Sequence, residues 1–492
     1  MRITNQMITN DVMSGINKNL NNLSTLEQQY YSGKKIQRPS EDPIIAVRAL
    51  KLRTNLSELN QYYEKNIPDA KNWMDLTEGA LTDINSILKS INTACVQGAN
   101  DDLNAENRDS IAKNLEQYKE QIYQEGNTNY AGRYVFSGYK TDKSLIFDEA
   151  TSDYQYTITE KFAVTDIDTV SKVKGAYSVT DFSPTNDYST SPELIEAYRI
   201  RLSYDELDSL QHDGKTSVTM SGLPEGTVIN TKKTSDGDAY TPEANSVNFI
   251  PETGELILSK ETYEALIKNG SDITVGYSKT NFEKGDLRPE HYFNCTAYAL
   301  DGSGKEITYV KENQEIQYEI NFNQKLTINT QGSDAITHSI GREIDEIIAA
   351  VEDVQATEAK IEEVEKMLAD SNNANDTEKL SKLNQLKEQL EKELTLKNSI
   401  MQKKFGNGIT ASANAQDKIN VALADLGSRS VRLELTENRL SDLQVEFTEL
   451  MSNNEDVDIV ETYVKLNSAQ MIYNASLGAA AKVVQNSLLD FL

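Results

Sequence analysis

The side chains that could perform chemistry in this sequence are few and lie far apart. The three histidines, His212, His291 and His338, stand in separate segments without the close spacing that metal ligands need. His291 and Cys295 are near each other, and an imidazole beside a thiol would suit a nucleophile or part of a metal site. A surface histidine and a small core cysteine explain the pair more simply. The sequence therefore predicts no catalytic residue, no metal site and no cofactor.

Two short polar motifs resemble fragments of calcium-binding loops. They are Asp236–Asp238 and Asp301–Gly304, and both lack the alternating oxygen ligands and the closing glutamate of such loops. Clusters of Asp, Gly and Ser are typical of hairpin turns. The sequence also contains no phosphate-binding loop and no Gly-rich dinucleotide turn. These segments are therefore predicted to be turns and not binding sites.

Composition excludes further classes of function. The chain has 492 residues, with 77 acidic and 49 basic side chains and a formal charge of −28. This charge argues against binding to nucleic acid or to an anionic membrane surface. No long apolar run occurs, and the first residues do not resemble a secretory signal, so we expect neither membrane insertion nor a cleaved signal peptide. The length predicts two or three domains, and Cys95 and Cys295 lie too far apart along the chain to form a disulfide framework.

The start of the chain has the apolar spacing of a narrow helical stripe. The residues that recur at steps of three and four, with one interruption, are Met13, Ile16, Leu20, Leu23 and Tyr30. Their stripe has the width of a coiled-coil seam and not of a globular core face. Short amphipathic helices gain most of their stability from packing. The first helix therefore needs a partner.

A shaped loop is predicted after this helix. Gly33 should end the helix, and Pro39 and Pro43 restrict the residues before them to extended conformations. Ser40 is expected to cap the second helix, with Pro43 in its first turn. The helical pattern that follows should be interrupted or kinked at Pro68.

Between about residues 145 and 335 the apolar period changes from helical to two. Strands are predicted where apolar residues alternate, at Tyr154–Ile158, Ile273–Tyr277 and Ile316–Phe322. Residues 247–249 and 256–258 flank the turn Pro251–Gly254, which is typical of a hairpin. This region is therefore predicted to be an antiparallel β domain.

Helical spacing returns near Gly341. Apolar residues recur in three blocks, at 347–368, 380–394 and 433–450. The first two blocks should form antiparallel helices joined by polar residues 371–376. The third block should pause at Asn453, before a final Ala-rich stretch at 459–492.

These patterns predict an α+β fold in which long N- and C-terminal helices pair in a coiled-coil or helical bundle and an antiparallel β domain projects between them. Residues 1–43 and 455–492 are expected to form a terminal coiled-coil segment that is mobile in the monomer. Residues 44–145 and 336–454 should form a helical bundle domain, and residues 146–335 the outer β domain.

The narrow stripes at both chain ends suit packing between neighbouring chains better than a closed core. We therefore predict an assembly interface and no active site. Its residues are Met13, Ile16, Leu20, Leu23, Tyr30, Arg38, Pro39, Pro43, Leu440, Leu443, Phe447, Leu450, Val483, Leu488, Leu489, Phe491 and Leu492. Arg38 is expected to pair with Glu41 or Asp42 and so to stiffen the loop.

Several motifs resemble a known family. They are Met1–Thr4, the loop Ser32–Lys35 with Arg38–Pro43, the segment Gly132–Thr141, Phe282–Pro289, Asp425–Arg429, Leu435–Leu440 and Ala475–Leu492. Together they resemble the hook–filament junction proteins of the bacterial flagellin superfamily, over roughly residues 1–145 and 335–492. The double-proline loop together with Gly132–Tyr139 favours a junction protein over flagellin itself.

The resemblance implies a structural adaptor of the flagellum. Such a protein is exported as an unfolded chain without a cleaved signal, and its termini form an inner coiled-coil tube on assembly. The implied partners are neighbouring copies of itself in a ring, hook-associated protein 1, flagellin and a flagellar export chaperone. The implied location is the extracellular flagellum, at the junction of hook and filament.

Other interpretations remain open at this stage. The nearest alternative is a flagellin-type filament subunit. A second is an extracellular enzyme or adhesin whose activity lies in the β domain, although residues 145–335 contain no recognisable catalytic cluster. A third is a coiled-coil scaffold inside the cell.

Overall fold

The computed structural model describes residues 5–100, 105–180, 182–270, 272–369 and 377–489, and these residues form ten α-helices. In chain order the helices are α1 (Asn5–Ser32), α2 (Pro43–Gln61), α3 (Ile67–Gly98), α4 (Ala105–Glu125), α5 (Lys260–Asn269), α6 (Pro289–Tyr292), α7 (Gly332–Ala335), α8 (His338–Ala369), α9 (Thr377–Glu455) and α10 (Ile459–Leu489). None of the helices, over the residues described, is both long and apolar enough to cross a membrane.

The strands lie almost entirely in the middle of the chain. They are β1 (Asn129–Tyr130), β2 (Arg133–Tyr134), β3 (Tyr154–Phe162), β4 (Asp168–Lys174), β5 (Glu193–Arg201), β6 (Thr219–Ser221), β7 (Val228–Thr231), β8 (Ser246–Ile250), β9 (Glu255–Leu258), β10 (Ile273–Lys279), β11 (Asn294–Ala299), β12 (Glu306–Tyr309), β13 (Gln317–Asn321) and β14 (Gln324–Thr327). The predicted α+β class, with long helices at both ends and a central β domain, is confirmed.

Two five-stranded sheets build the β domain. One has the strand order β12-β11-β3-β10-β6, and the other has the order β4-β5-β9-β8-β7. The predicted hairpin is confirmed, because Val247 lies opposite Leu258 and Phe249 opposite Leu256. Pairing in these sheets is antiparallel except between β7 and β8, which run parallel. Side chains of both sheets share one apolar cluster, which includes Ile158 of β3.

The predicted strand over Ile316–Phe322 forms only in part. β13 is shorter and pairs with β14 as a two-stranded hairpin. Ile320 faces inward and is fully buried, whereas Phe322 is 79% exposed because it lies in the turn between the two strands. The alternation therefore indicated the strand but not its end.

The N-cap of α2 differs from the prediction. Asp42, and not Ser40, accepts hydrogen bonds on its side chain from the backbone N–H groups of Ile44 at 2.9 Å and Ile45 at 3.1 Å. Pro43 occupies the first helical position, so the residue directly before it is the N-cap. The aspartate also places a negative charge at the positive end of the helix dipole.

The predicted interruption at Pro68 is a single wide turn. Residues Tyr62–Asn66 form one turn of π-helix, and α3 begins directly afterwards at Ile67. Pro68 is the second residue after this wide turn, and a π-turn is one of the ways in which a helix accommodates the missing N–H and the ring of a proline. Helical structure therefore continues on both sides of the proline.

Helices flank residues 371–376, as predicted, and residues 371–376 themselves lie outside the described part of the chain. α9 has 79 residues and contains both the second and the third apolar block. Gly406, Gly408 and Gly427 lie within it without breaking it. A Cβ at Gly408 would come within 2.8 Å of the Cys95 sulfur, so the glycine allows α9 to approach α3 closely.

The chain divides into two compact units. The first comprises residues 1–71, 318–326 and 431–492, and the second comprises residues 72–317 and 327–430. The predicted boundaries near residues 43, 145, 335 and 455 stay predictions.

Within the second unit, a buried charge network joins the sheet of β4, β5 and β9 to α8 and α9. Arg199 of β5 donates to Asp168, to Glu255 and to Glu346, the last two at 2.6 Å. Glu346 of α8 also accepts from Lys404 of α9. Because Arg199 is almost completely buried, its charge must be compensated within the protein.

Candidate assembly interface

The two ends of the chain pack against each other within the first unit. α1 and α10 are in contact, Asn19 of α1 donates a hydrogen bond to Ser476 of α10 at 2.7 Å, and the Tyr30 and Tyr463 rings lie 5.7 Å apart. Of the predicted stripe, Ile16 and Leu23 are buried and Tyr30 is half-buried. The predicted pairing of the terminal helices is therefore present in the single chain.

The same helix pair leaves a large amount of apolar surface uncovered. Met13 and Leu20, which also belong to the predicted stripe, are about half exposed, at 53% and 43%. The exposed apolar residues on α10 are Ile459, Val460, Tyr463, Val464, Met471, Ile472 and Leu477. Exposed apolar side chains clustered on one helix pair favour a site that another molecule covers. We name these exposed residues of α1 and α10 the terminal-helix surface.

Backbone hydrogen bonds fix the loop after α1 to the connection between α9 and α10. Gly33 has a φ of +70° and its N–H bonds to the Gln29 carbonyl at 2.9 Å, so it ends α1 as predicted. Its own carbonyl accepts from Val457 N–H at 2.9 Å, and Lys35 N–H donates to the Glu455 carbonyl at 2.7 Å. The loop and the connection between α9 and α10 therefore form a short antiparallel bridge.

Ion pairs reinforce this contact. Arg53 of α2 donates from Nε to Glu455 at 2.8 Å, and Lys34 lies 2.5 Å from Asp456. The hydrogen bonds from Arg53 lower the pKa of Glu455, and burial opposes this shift only in part. Glu455 itself is nearly buried. These residues connect the loop, α2 and the end of α9, and we name them the loop anchor.

The loop residues chosen from the sequence are placed at the surface. Arg38, Pro39 and Pro43 are all exposed. The expected pairing of Arg38 with an acidic neighbour is not found, because Glu41 accepts from the Gln37 backbone N–H at 2.8 Å and Asp42 caps α2. Arg38 has no ion pair among the residues that the structure describes.

The residues predicted on α9 are divided between core and surface. Leu440 is almost fully buried, Leu443 and Phe447 are half-buried, and Leu450 is 46% exposed. Leu440 therefore packs inside the chain, whereas Leu450 remains available to another molecule. Near the C-terminus, Val483, Leu488 and Leu489 lie in α10, but their side chains are outside the described part, as are Phe491 and Leu492 altogether.

Sequence reasoning missed the loop anchor. Arg53 and Glu455 are 402 residues apart, and no local spacing relates them. The one available signal was the pair Lys34-Lys35 in a strongly acidic chain, and it was noticed only as part of a motif. The exposed apolar residues of α2 were also missed, because helical spacing does not show which apolar residues stay uncovered.

The described residues do not combine His291 and Cys295 into a reactive site. Burial raises the pKa of the Cys295 thiol to about 12, and burial lowers the pKa of His291 to about 4. The His291 ring instead lies 3.1 Å from the Ser144 carbonyl oxygen. A thiol with this pKa carries almost no thiolate at neutral pH. Within the described ranges, no three His, Cys, Asp or Glu side chains are grouped so that they could hold a metal ion.

A cleft of about 570 Å³ lies beside the buried charge network of the second unit. Arg199, Glu255 and Glu346 line it, and Arg199 forms an ion pair with each of the two glutamates. Arg342 also lines it and pairs with Asp205 at 2.5 Å. Since these charges are compensated within the chain, the cleft is explained by the packing of the sheet on the helices.

The ends of the chain match known helical regions. Residues 3–141 match the bacterial flagellin N-terminal helical region, and residues 409–492 match the bacterial flagellin C-terminal helical region. These ranges include α1, α2 and α10, which carry most of the surfaces described above.

Three known proteins are similar to parts of the chain. The flagellar hook-associated protein 3 of Salmonella typhimurium is 32% identical over 156 residues, which are 31% of this chain and 48% of the relative. The same protein of Escherichia coli is 28% identical over 30% of this chain and 47% of its own length. A flagellin of Clostridium tyrobutyricum is 30% identical over 26% of this chain and 34% of that protein.

The matched part spans about half the length of the two hook-associated relatives. Both ends of this chain thus match flagellin helical regions, and the resemblance predicted from the sequence, to flagellar hook-associated protein 3 of the flagellin superfamily, is confirmed.

Proposed function

We propose that this chain is a structural adaptor of the bacterial flagellum, which joins the hook to the flagellin filament. The observation that carries the proposal is the terminal-helix surface. Its apolar side chains lie on the paired helices α1 and α10, which fall within the two regions that match flagellin. The similarity to two hook-associated proteins 3 favours the junction over other places in the flagellum. Catalysis plays no part in this function.

Assembly would be driven by burial of the terminal-helix surface. Met13 and Met471 are already partly buried, so covering the remainder of each contributes roughly 1–2 kcal/mol, which is about half to two thirds of the value for a fully exposed side chain. The gain is offset by the conformational entropy that ordering the chain ends removes. A helix pair with apolar residues on several sides can contact neighbours on both flanks, so the contacts would repeat around a ring.

The loop anchor, together with the backbone hydrogen bonds beside it, would set the direction of the terminal helices. Gly33, Lys35 and Glu455 tie the end of α1 to the end of α9, so α1 and α10 leave this point together. The proposed partners are neighbouring copies in a ring, hook-associated protein 1, flagellin and an export chaperone. Export to the extracellular flagellum without a cleaved signal is part of the same proposal.

The position of the chain in the flagellum tests the proposal. A short epitope tag placed in the exposed turn at Gly302–Gly304, where added atoms meet nothing, would be located by immunogold microscopy of isolated flagella. A junction adaptor predicts label at one site per flagellum, where hook and filament meet. Label along the whole filament would overturn the adaptor role.

Label along the filament would instead support a second candidate, a flagellin-type filament subunit. The similarity to a Clostridium flagellin is the observation that favours this alternative. The two candidates share the terminal-helix surface and differ in how many copies a flagellum contains. The amount of this chain relative to the major filament protein in isolated flagella separates them.

A further inference from the structure

Two exposed surfaces of the first unit have opposite charge and matching apolar character. The first lies on α2, where Ile44, Val47 and Leu50 are between 55% and 71% exposed. Arg48 and Lys51 stand one helical turn after Ile44 and Val47, on the same side of the helix. We name these five residues the α2 surface. Residues 43–57 include three basic side chains and no acidic one, although the whole chain carries a formal charge of −28.

The second surface lies on the last part of α9. Val431, Leu435 and Val445 are between 57% and 68% exposed. Asp442 and Glu449 belong to the same helical face, since successive members of the set are separated by three, four or seven residues. We name these five residues the α9 surface. Residues 434–449 contain five acidic side chains and one basic one.

Neither surface is used inside the chain. α2 buries Ala46 and Ala49 on its other side, and α9 buries Leu433 and Leu440. Over the residues that the structure describes, neither Arg48 nor Lys51 has an acidic partner, and neither Asp442 nor Glu449 has a basic one. Each surface is thus an apolar stripe flanked by uncompensated charge.

We infer that the α2 surface of one copy of this chain docks on the α9 surface of the next copy. Charge complementarity selects this pairing, because two α2 surfaces or two α9 surfaces would repel each other. Apolar stripes flanked by charges of opposite sign are the pattern by which helices choose partner and orientation. Since the two surfaces differ, the contact is heterologous and repeats from copy to copy. This inference rests on the proposed assembly role and adds to it a specific contact outside the terminal helices.

Charge reversal tests the pairing in the full-length chain. In cells that lack the native gene, Arg48→Glu with Lys51→Glu should reduce the amount of chain recovered in isolated flagella by about tenfold or more, because like charges then face each other. Asp442→Lys with Glu449→Lys should do the same. All four substitutions together should restore recovery to near the wild-type amount. The matched control, Lys260→Glu with Lys268→Glu, reverses two exposed bases of α5 and should have no effect.

A crosslink tests the contact directly. The chain has two cysteines, Cys95 and Cys295, and both are buried, so exposed thiols can be introduced without competition. The double variant Val47→Cys, Val445→Cys should give a ladder of multimers in isolated flagella with a short bis-maleimide, whereas either single variant should not. A crosslink within one chain is excluded by distance. Gln444 bonds to Asn60, thirteen residues from Val47, which is a rise of about 20 Å along α2.

The outcomes separate the inference from the proposed function. If the wild-type chain is absent from isolated flagella, the proposed function fails. If it is present but the double-cysteine variant gives no ladder, the α2–α9 contact is wrong. The contact is also wrong if both charge-reversed double variants are recovered in isolated flagella in wild-type amounts. It is wrong, too, if the variant with all four substitutions is recovered in no larger amount than either double variant. Amounts of each variant in the medium, and circular dichroism of the purified chains, distinguish lost assembly from lost export or folding.

Discussion

At the scale of single residues, Glu346 is the side chain on which most of the buried charge network depends. Burial by itself would raise the pKa of Glu346, but Arg199, Arg201 and Lys404 outweigh it and hold the pKa well below the usual range. The carboxylate therefore stabilises the folded chain only while it is ionised. This stabilisation is fully present above the unfolded pKa of about 4.3 and is lost as the pH falls toward the lower folded value.

Glu346→Gln should destabilise the second unit by about 3–5 kcal/mol at pH 7, because it leaves buried cations without their shared counter-charge. Urea denaturation followed by circular dichroism measures the loss. The difference from wild type should shrink as the pH falls below about 4, because the unfolded chain then binds a proton at this carboxylate while the folded chain keeps it ionised down to its lower pKa. Glu264→Gln, in a side chain that is 64% exposed, is the matched control and should have little effect. Equal stability of the Glu346 variant at pH 7 would contradict the account.

Gly254 is required by the turn between β8 and β9. Its φ is +63°, and a Cβ there would lie 1.9 Å from the Tyr204 carbonyl oxygen. Gly254→Ala should therefore cost more than about 2 kcal/mol, through backbone strain and overlap together. Gly304→Ala has nearly the same φ with nothing within 4 Å, so it should cost only about 1 kcal/mol. Urea midpoints of the two variants give the comparison, and equal midpoints would show that overlap at Tyr204 is unimportant.

At the scale of elements, α9 has both a core face and a free face. Leu440 is almost fully buried, whereas Leu435 on the same helix is 67% exposed. Leu440→Ala should lower the free energy of unfolding by about 2–5 kcal/mol, and Leu435→Ala should leave it within about 0.5 kcal/mol. Chemical denaturation of both variants tests this division. If Leu435→Ala proved the more destabilising, the assignment of the two faces would be reversed.

The helical and strand periods of the sequence predicted most elements because they depend on neighbours along the chain. The N-cap of α2 was predictable in principle, since Pro43 at the first helical position leaves Asp42 directly before it. The continuity of α9 was not visible from spacing, because the close approach of Gly408 to Cys95 of α3 depends on segments far apart in the chain. The parallel pairing of β7 with β8 also has no local signal in such short strands.

The candidate interface was predictable only on the helix stripes. Met13 and Leu20 were identified from spacing, which indicates a shared helical face but not which members of it remain exposed. Arg53 and Glu455 could not be paired from the sequence, because their contact depends on how distant segments fold together. The buried position of Leu440 has the same cause.

At the scale of the whole molecule, the two five-stranded sheets belong to the second unit, whereas the terminal helices proposed for assembly belong to the first. Removal of residues 473–492 takes away Ser476, the partner of Asn19, and a large part of α10. The truncated chain should keep the β domain folded, because that domain lies in the other unit, and should fail to enter the flagellum. Protease resistance of the β domain and the amount of chain in isolated flagella are the two measurements. Incorporation of the truncated chain at the wild-type level would show that the terminal helices are dispensable.

The proposed role of this chain is to join hook and filament. Electron microscopy of cells that lack its gene, together with an assay for flagellin in the medium, is the most direct test of this role. A junction adaptor predicts hooks without filaments and flagellin shed as monomer, and both defects should be reversed when the wild-type gene is returned. Filaments that persist at normal or merely reduced length would contradict it and would make the chain a filament subunit or an accessory protein.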